Sequence, residues 1–171
     1  IKQCLVGSEM CIRDSKILCY LFEKKLGLFM EFKNEIGLIQ RRMASSIAGT
    51  SRRLEILNAL NIQSGQHVLD IGCGGGHLLE EIAKAVGPEG KAYGLDTSED
   101  QLKQARKRCS LYKNVFTIKG YANQISLENN SCDSICSVQT FEYIENVDES
   151  IKELTRILKP SSIFVNISIL W

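Results

Sequence analysis

The chain has 171 residues, 44% of them hydrophobic and 24% charged, with a formal net charge of +1. That length carries one domain with a proper core rather than two. The near-zero charge offers no footprint for nucleic acid, and no window approaches the roughly eighteen uninterrupted apolar residues of a membrane span.

A cytoplasmic protein that handles a small ligand, without stable membrane insertion, is the expectation. The seven cysteines (Cys4, Cys11, Cys19, Cys73, Cys109, Cys132 and Cys136) are odd in number and follow no secretory signal, so reduced thiols are expected. Cys132 and Cys136 lack the second pair or the histidines of a structural zinc site, and no metal is expected.

Residues 1–15 show no clean period, and the run from Cys4 to Ser15 resembles a translated sequencing adapter. This segment is set aside as non-native or disordered. Residues 16–44 form a helical N-terminal extension: Ile17, Leu18, Leu21, Phe22, Leu26 and Phe29 recur at helical spacing, with interruptions at Gly27 and Gly37. Arg41, Arg42, Arg52 and Arg53 read as a solvated basic face.

Thr50 or Ser51 caps a helix whose Leu54, Ile56, Leu57 and Leu60 face the core, and residues 61–66 make a polar turn. Next comes the densest signal in the chain. His67-Val-Leu-Asp-Ile-Gly-Cys-Gly-Gly-Gly-His77 is an apolar strand ending in a carboxylate, then four glycines in five positions, then a helix start. Glycine costs backbone entropy, so such a cluster belongs where the chain needs positive φ or where a ligand approaches bare backbone.

Leu78, Leu79, Ile82 and Val86 stripe the following helix, which Gly87-Pro-Glu-Gly90 stops. Alternation then continues. A strand spans residues 91–96, a helix 98–109 with Leu102, Ala105 and Cys109 on one face, strands 114–118 and 133–139, a helix 148–158 and a last strand 163–170. Strands that alternate with helices and are mostly apolar build a parallel sheet covered on both faces, with the ligand at the carboxyl ends of the strands.

Asp96 ends the second strand of this unit, where a carboxylate accepts two hydrogen bonds from vicinal ribose hydroxyls; a turn or cap role before Thr97 and Ser98 is the alternative. The loop is not of the dinucleotide type, because His77 stands where the last glycine of Gly-x-Gly-x-x-Gly belongs.

Asp70-x-Gly72-x-Gly74-x-Gly76 instead resembles the first motif of the class I S-adenosylmethionine-dependent methyltransferases. Gly94-Leu-Asp96, Ser131-Cys-Asp-Ser134, Gln139-Thr-Phe-Glu-Tyr143 and Leu158-Lys-Pro-Ser-Ser162 resemble later landmarks of that family in order, so the resemblance covers residues 45–171. It implies an α/β fold, a three-layer Rossmann-like sandwich with a mostly parallel sheet. It also implies S-adenosyl-L-methionine as cofactor.

By the same resemblance Asp70 lies near the methionine amino group, Gly72, Cys73, Gly74 and Gly76 present loop backbone, and Asp96 with Thr97 holds the ribose. Gln139 lies near the methionine portion. Gly120-Tyr121-Ala122 replaces the family's Gly-Asp-Ala, which leaves Tyr121 and the backbone of Ala122 for adenine. Glu142, Tyr143 and His77 are the candidate proton-transfer groups for acceptors that need one.

The expected reaction is methyl transfer to a small-molecule acceptor. A dinucleotide-dependent oxidoreductase and a non-catalytic ligand-binding fragment are the alternatives. About five of the seven strands usual in this family are legible, leaving the last strand as a free edge that invites intermolecular pairing unless a terminus covers it.

Overall fold

The computed structural model describes residues 4–6, 9–13 and 34–168. The apolar stripe from Ile17 to Phe29 lies outside them. Strands β1 (Cys4–Val6) and β2 (Glu9–Arg13) precede helices α1 (Asn34–Ala44) and α2 (Ile47–Leu60). Then follow β3 (His67–Ile71), α3 (His77–Val86), β4 (Lys91–Asp96), α4 (Glu99–Arg108), β5 (Val115–Lys119), β6 (Cys132–Val138), a 3-10 turn at Phe141–Tyr143, α5 (Val147–Ile157) and β7 (Leu158–Ile167).

The sheet order is β1-β2-β7-β6-β3-β4-β5. Its five strands β7, β6, β3, β4 and β5 are all parallel, as alternating crossovers require. Helix α2 packs with α3 and α4 over one face, where Ile56, Val68, Leu79, Ile82, Ala92, Leu102 and Val165 are buried. Helix α5 covers the other with Ile151, Leu154 and Ile157 against Leu69, Ile71, Leu95, Ile135 and Phe164. Three layers result.

Several boundaries differ from the sequence reading. Helix α2 starts earlier, because Ser46 rather than Thr50 or Ser51 is its cap and accepts a hydrogen bond from the Gly49 N–H. Leu54 points outward, 55% exposed, because two residues turn the helix about 200° from Ile56, which is fully buried. Gly37 interrupts nothing: α1 runs through it. Strand β7 begins at Leu158, not Ile163, and accommodates Pro160 and the positive φ of Ser161 in a register shift against β6.

Residues 9–13 pair antiparallel with β7, from Glu9 opposite Ile167 to Arg13 opposite Ile163. The edge expected to be free therefore carries a strand. Backbone N–H and C=O groups on a sheet edge accept any extended segment, so no side-chain period was needed to form this hairpin.

At the strand-start end of the sheet, Asp133 accepts hydrogen bonds from the His67 N–H at 2.8 Å and the Lys159 ammonium at 2.7 Å. It thereby joins the beginnings of β3 and β7 from its own position on β6. The glycine loop sits at the opposite end.

Candidate functional site

The loop after β3 owes its course to backbone geometry. Gly72, Gly74 and Gly76 have φ of +70°, +50° and +80°, a region L side chains rarely adopt. The Gly72 and Cys73 N–H groups both donate to the Leu95 carbonyl, at 2.8 and 3.0 Å, which docks the loop on the end of β4. At Gly72 a Cβ would fall 2.1 Å from Thr140 Oγ1, and at Gly76 it would fall 2.8 Å from Ala105 Cα. Glycine thus lets the loop wedge between the segment after β6 and helix α4.

Asp70 and Asp96 end up on neighbouring strands at the same end of the sheet. Asp96 accepts from the Gly74 N–H and the Ser98 N–H, each at 2.9 Å. The turn role is thus observed: Asp96 shapes the turn into α4, whose cap is Ser98, and it also fastens the glycine loop. The Thr97 N–H is a third backbone donor to the carboxylate. Burial raises its carboxyl above the usual range, against the N–H donors.

Asp70 is 2% exposed. Among the described residues the Cys136 thiol, 3.8 Å from Oδ1, is the hydrogen-bonding neighbour of its side chain, and no cation pairs with it. Burial first, and the Asp96 carboxylate second, push its pKa from 3.8 up to about 8. A buried carboxyl beside a bare glycine loop, without a protein counter-charge, suits a positively charged ligand. The ammonium and sulfonium of S-adenosylmethionine meet that requirement.

The other expected residues are distributed around this pair. Gln139 takes a positive φ of 52°, its N–H donating to the Ile167 carbonyl, and its side-chain oxygen accepts from Arg52 at 2.8 Å. Ala122 is buried and Tyr121 beside it is 62% exposed. Thr97 is exposed at the turn after β4. Cys73 is buried in the core face of the loop, and burial raises its thiol well above the ordinary value.

His77 begins α3 and its Nε2 lies 3.0 Å from Arg108, whose Nε also donates to the Gly75 carbonyl. Burial, then Arg108 and Arg53, lower its pKa to about 4, so the ring is neutral and held at the back of the loop. Glu142 and Tyr143 are exposed on the 3-10 turn after Thr140. Burial and adjacent Glu142 raise the Tyr143 phenol.

Two contributors escaped the sequence reading. Arg41 and Gln40 of α1 lie over the loop: Arg41 donates to Asp100 and Gln101, each at 3.2 Å, and its side chain occupies the space beside Gly75. Gln40 accepts from Gln101 and flanks Gly74. Arg53 is likewise buried, on Glu81. The basic run is thus largely structural, with Arg42 alone of the four fully outward.

Among the described residues no three His, Cys, Asp or Glu side chains are grouped as metal ligands, and no helix is long and apolar enough to cross a membrane.

Residues 62–170 match the model of a methyltransferase domain family. The demethylmenaquinone methyltransferase of Geobacillus stearothermophilus is 35% identical over 115 residues, 66% of this chain and 49% of that protein. The chain thus spans about half the length of that curated relative. A crystal structure of a SAM-dependent methyltransferase from Aquifex aeolicus is 32% identical, covers 63% of this chain and 58% of its own, and superposes with a TM-score of 0.59. A Methanococcus maripaludis structure at 23% identity, covering 84% of this chain and 65% of its own with a TM-score of 0.68, shares the fold. With the family match, the parallel sheet and the glycine loop between Asp70 and Asp96 all in agreement, the chain belongs to the class I S-adenosylmethionine-dependent methyltransferase family.

Proposed function

We propose that this chain directs methyl transfer from S-adenosyl-L-methionine to a small organic acceptor, with a hydroxylated aromatic of the quinol type as the leading candidate. The observation that carries the reading is Asp70, buried beside the glycine loop and without a cation partner among the described residues. The name of the Geobacillus relative supports the quinol type.

In this reading Asp70 faces the ammonium, Gly72, Cys73, Gly74 and Gly76 line the ligand with backbone, and Asp96 takes the ribose hydroxyls, with Thr97 beside it. Ala122 and Tyr121 border the adenine. Gln139, held by Arg52, borders the methionine portion. The cofactor supplies an activated methyl group on a sulfonium. What the chain adds is alignment of the acceptor and exclusion of water. In the same reading Glu142 takes a proton from an acceptor hydroxyl, and Tyr143 stands next to it on the turn.

Incubation with methyl-labelled S-adenosylmethionine and 1,4-dihydroxynaphthalene tests the reading: label is expected in the naphthol product. Calorimetry tests the donor, with S-adenosylhomocysteine expected to bind and NAD not. Binding of NAD alone would sink the proposal. Asp96→Ala is expected to weaken S-adenosylhomocysteine by about 1 to 3 kcal/mol through lost charged hydrogen bonds, and an unchanged affinity rejects the ribose role.

A further inference from the structure

The end of β7 holds a polar chain that packing does not explain. Asn166 is 8% exposed and Ser137 fully buried. The two are register partners on adjacent parallel strands, so their side chains leave the same face of the sheet. Asn166 Oδ1 and Ser137 Oγ have no hydrogen-bond partner among the described residues. Apolar residues would sit here at less cost, since an unsatisfied buried polar atom loses its hydration without return.

The other end of the Asn166 amide is used. Its Nδ2 donates to Ser168 Oγ at 2.9 Å, and the Ser168 hydroxyl donates to Glu142 Oε2 at 3.2 Å. Direction is consistent along the series: amide N–H to hydroxyl, hydroxyl to carboxylate. The turn that carries Glu142 is fastened to the same strand, because the rings of Phe141 and Phe164 pack with centroids 5.2 Å apart. That turn follows Thr140, which fills the space at Gly72. The chain therefore runs from inside the sheet to the Glu142 carboxylate, on the turn that follows Thr140.

We propose that Asn166 and Ser168 are positioning residues that hold the Glu142 carboxylate toward the methyl acceptor. The inference rests on the acceptor-side role given to Glu142 above. It places on β7 a second layer of residues that select acceptors with a hydroxyl to deprotonate. In the step they support, the bond between acceptor and methyl forms as the sulfur–methyl bond breaks. The electron pair of that bond stays on sulfur, and the hydroxyl proton passes to Glu142.

Two measurements test it on the full chain. Carboxyl-detected carbon-13 NMR of the protein with S-adenosylhomocysteine reads the chain directly. The Glu142 carboxyl resonance is expected to move in Ser168→Ala and in Asn166→Ala, and to return in Ser168→Thr. A resonance unmoved in Ser168→Ala overturns the chain. With 1,4-dihydroxynaphthalene as acceptor, Ser168→Ala is expected to lower kcat about tenfold with the KM for S-adenosylmethionine unchanged, and Ser168→Thr to restore it. A moved resonance with unchanged kcat makes the contact structural only and overturns the positioning role. If the native chain methylates no naphthol, the quinol reading fails, and the Glu142 resonance still decides whether Asn166 and Ser168 hold the carboxylate.

Discussion

Asp70→Asn is expected to stabilise the ligand-free protein at alkaline pH while weakening its binding of S-adenosylmethionine. The folded chain holds the Asp70 proton up to about pH 8, whereas an unfolded one releases it near 3.8. Between those values the folded state binds the extra proton, so this group's contribution is full below the lower value and is lost as pH rises through the upper one. Native protein should therefore lose stability from pH 5 to pH 9, and the asparagine variant should lose less. The difference at the alkaline end is on the order of a few kcal/mol, the scale of one buried carboxylate.

A cationic ligand reverses the preference, because a positive charge beside Asp70 favours its ionised form. Binding near pH 7 should then release a proton, which calorimetry in two buffers of different ionisation enthalpy counts. Affinity of the native protein should rise toward pH 8. In the variant it should be flat with pH and about tenfold or more weaker. Proton-neutral binding by the native chain would show that Asp70 is not the counter-charge.

Gly76→Ala is expected to be the most damaging single methyl group in the loop. Its φ of +80° is unfavourable for any side chain, and the added carbon would meet Ala105 at 2.8 Å from Cα and 2.9 Å from Cβ. Backbone of α4 cannot rotate away as a side chain can. Strain and overpacking together should cost about 2 to 4 kcal/mol, read as a lower urea midpoint with an unchanged slope. Gly65→Ala is the control: it also has positive φ, +86°, but nothing lies within 4 Å of the added carbon, so the cost should be smaller.

The apolar run from Val68 to Ile71, the glycines and the stripe of Leu78, Leu79, Ile82 and Val86 are local signals, and the structure has the strand, loop and helix they imply. Asp96 was legible because it closes an apolar strand. What stayed hidden depends on partners far along the chain. Thr140 in the space at Gly72, Arg52 on Gln139 and Arg41 beside Gly75 leave no period in the sequence.

The start of α2 was missed for a different reason. Ser46, Thr50 and Ser51 are all competent caps, and local chemistry does not rank them. Leu54, grouped with Ile56, Leu57 and Leu60 as core, lies on the outer side because it stands about 200° round the helix from Ile56. Arginines read as solvated by composition were drawn inward by Glu81, Asp100 and Gln139.

The clasp at Asp133 has a consequence for how such a domain can change. It ties β3 and β7 together where the strands begin, and every residue assigned to the cofactor or acceptor lies where they finish. Substitutions around the ligand are made on loops whose supporting strands are secured elsewhere. New acceptors can be tried at one rim of the sheet while the clasp at the other rim goes on tying the strands together.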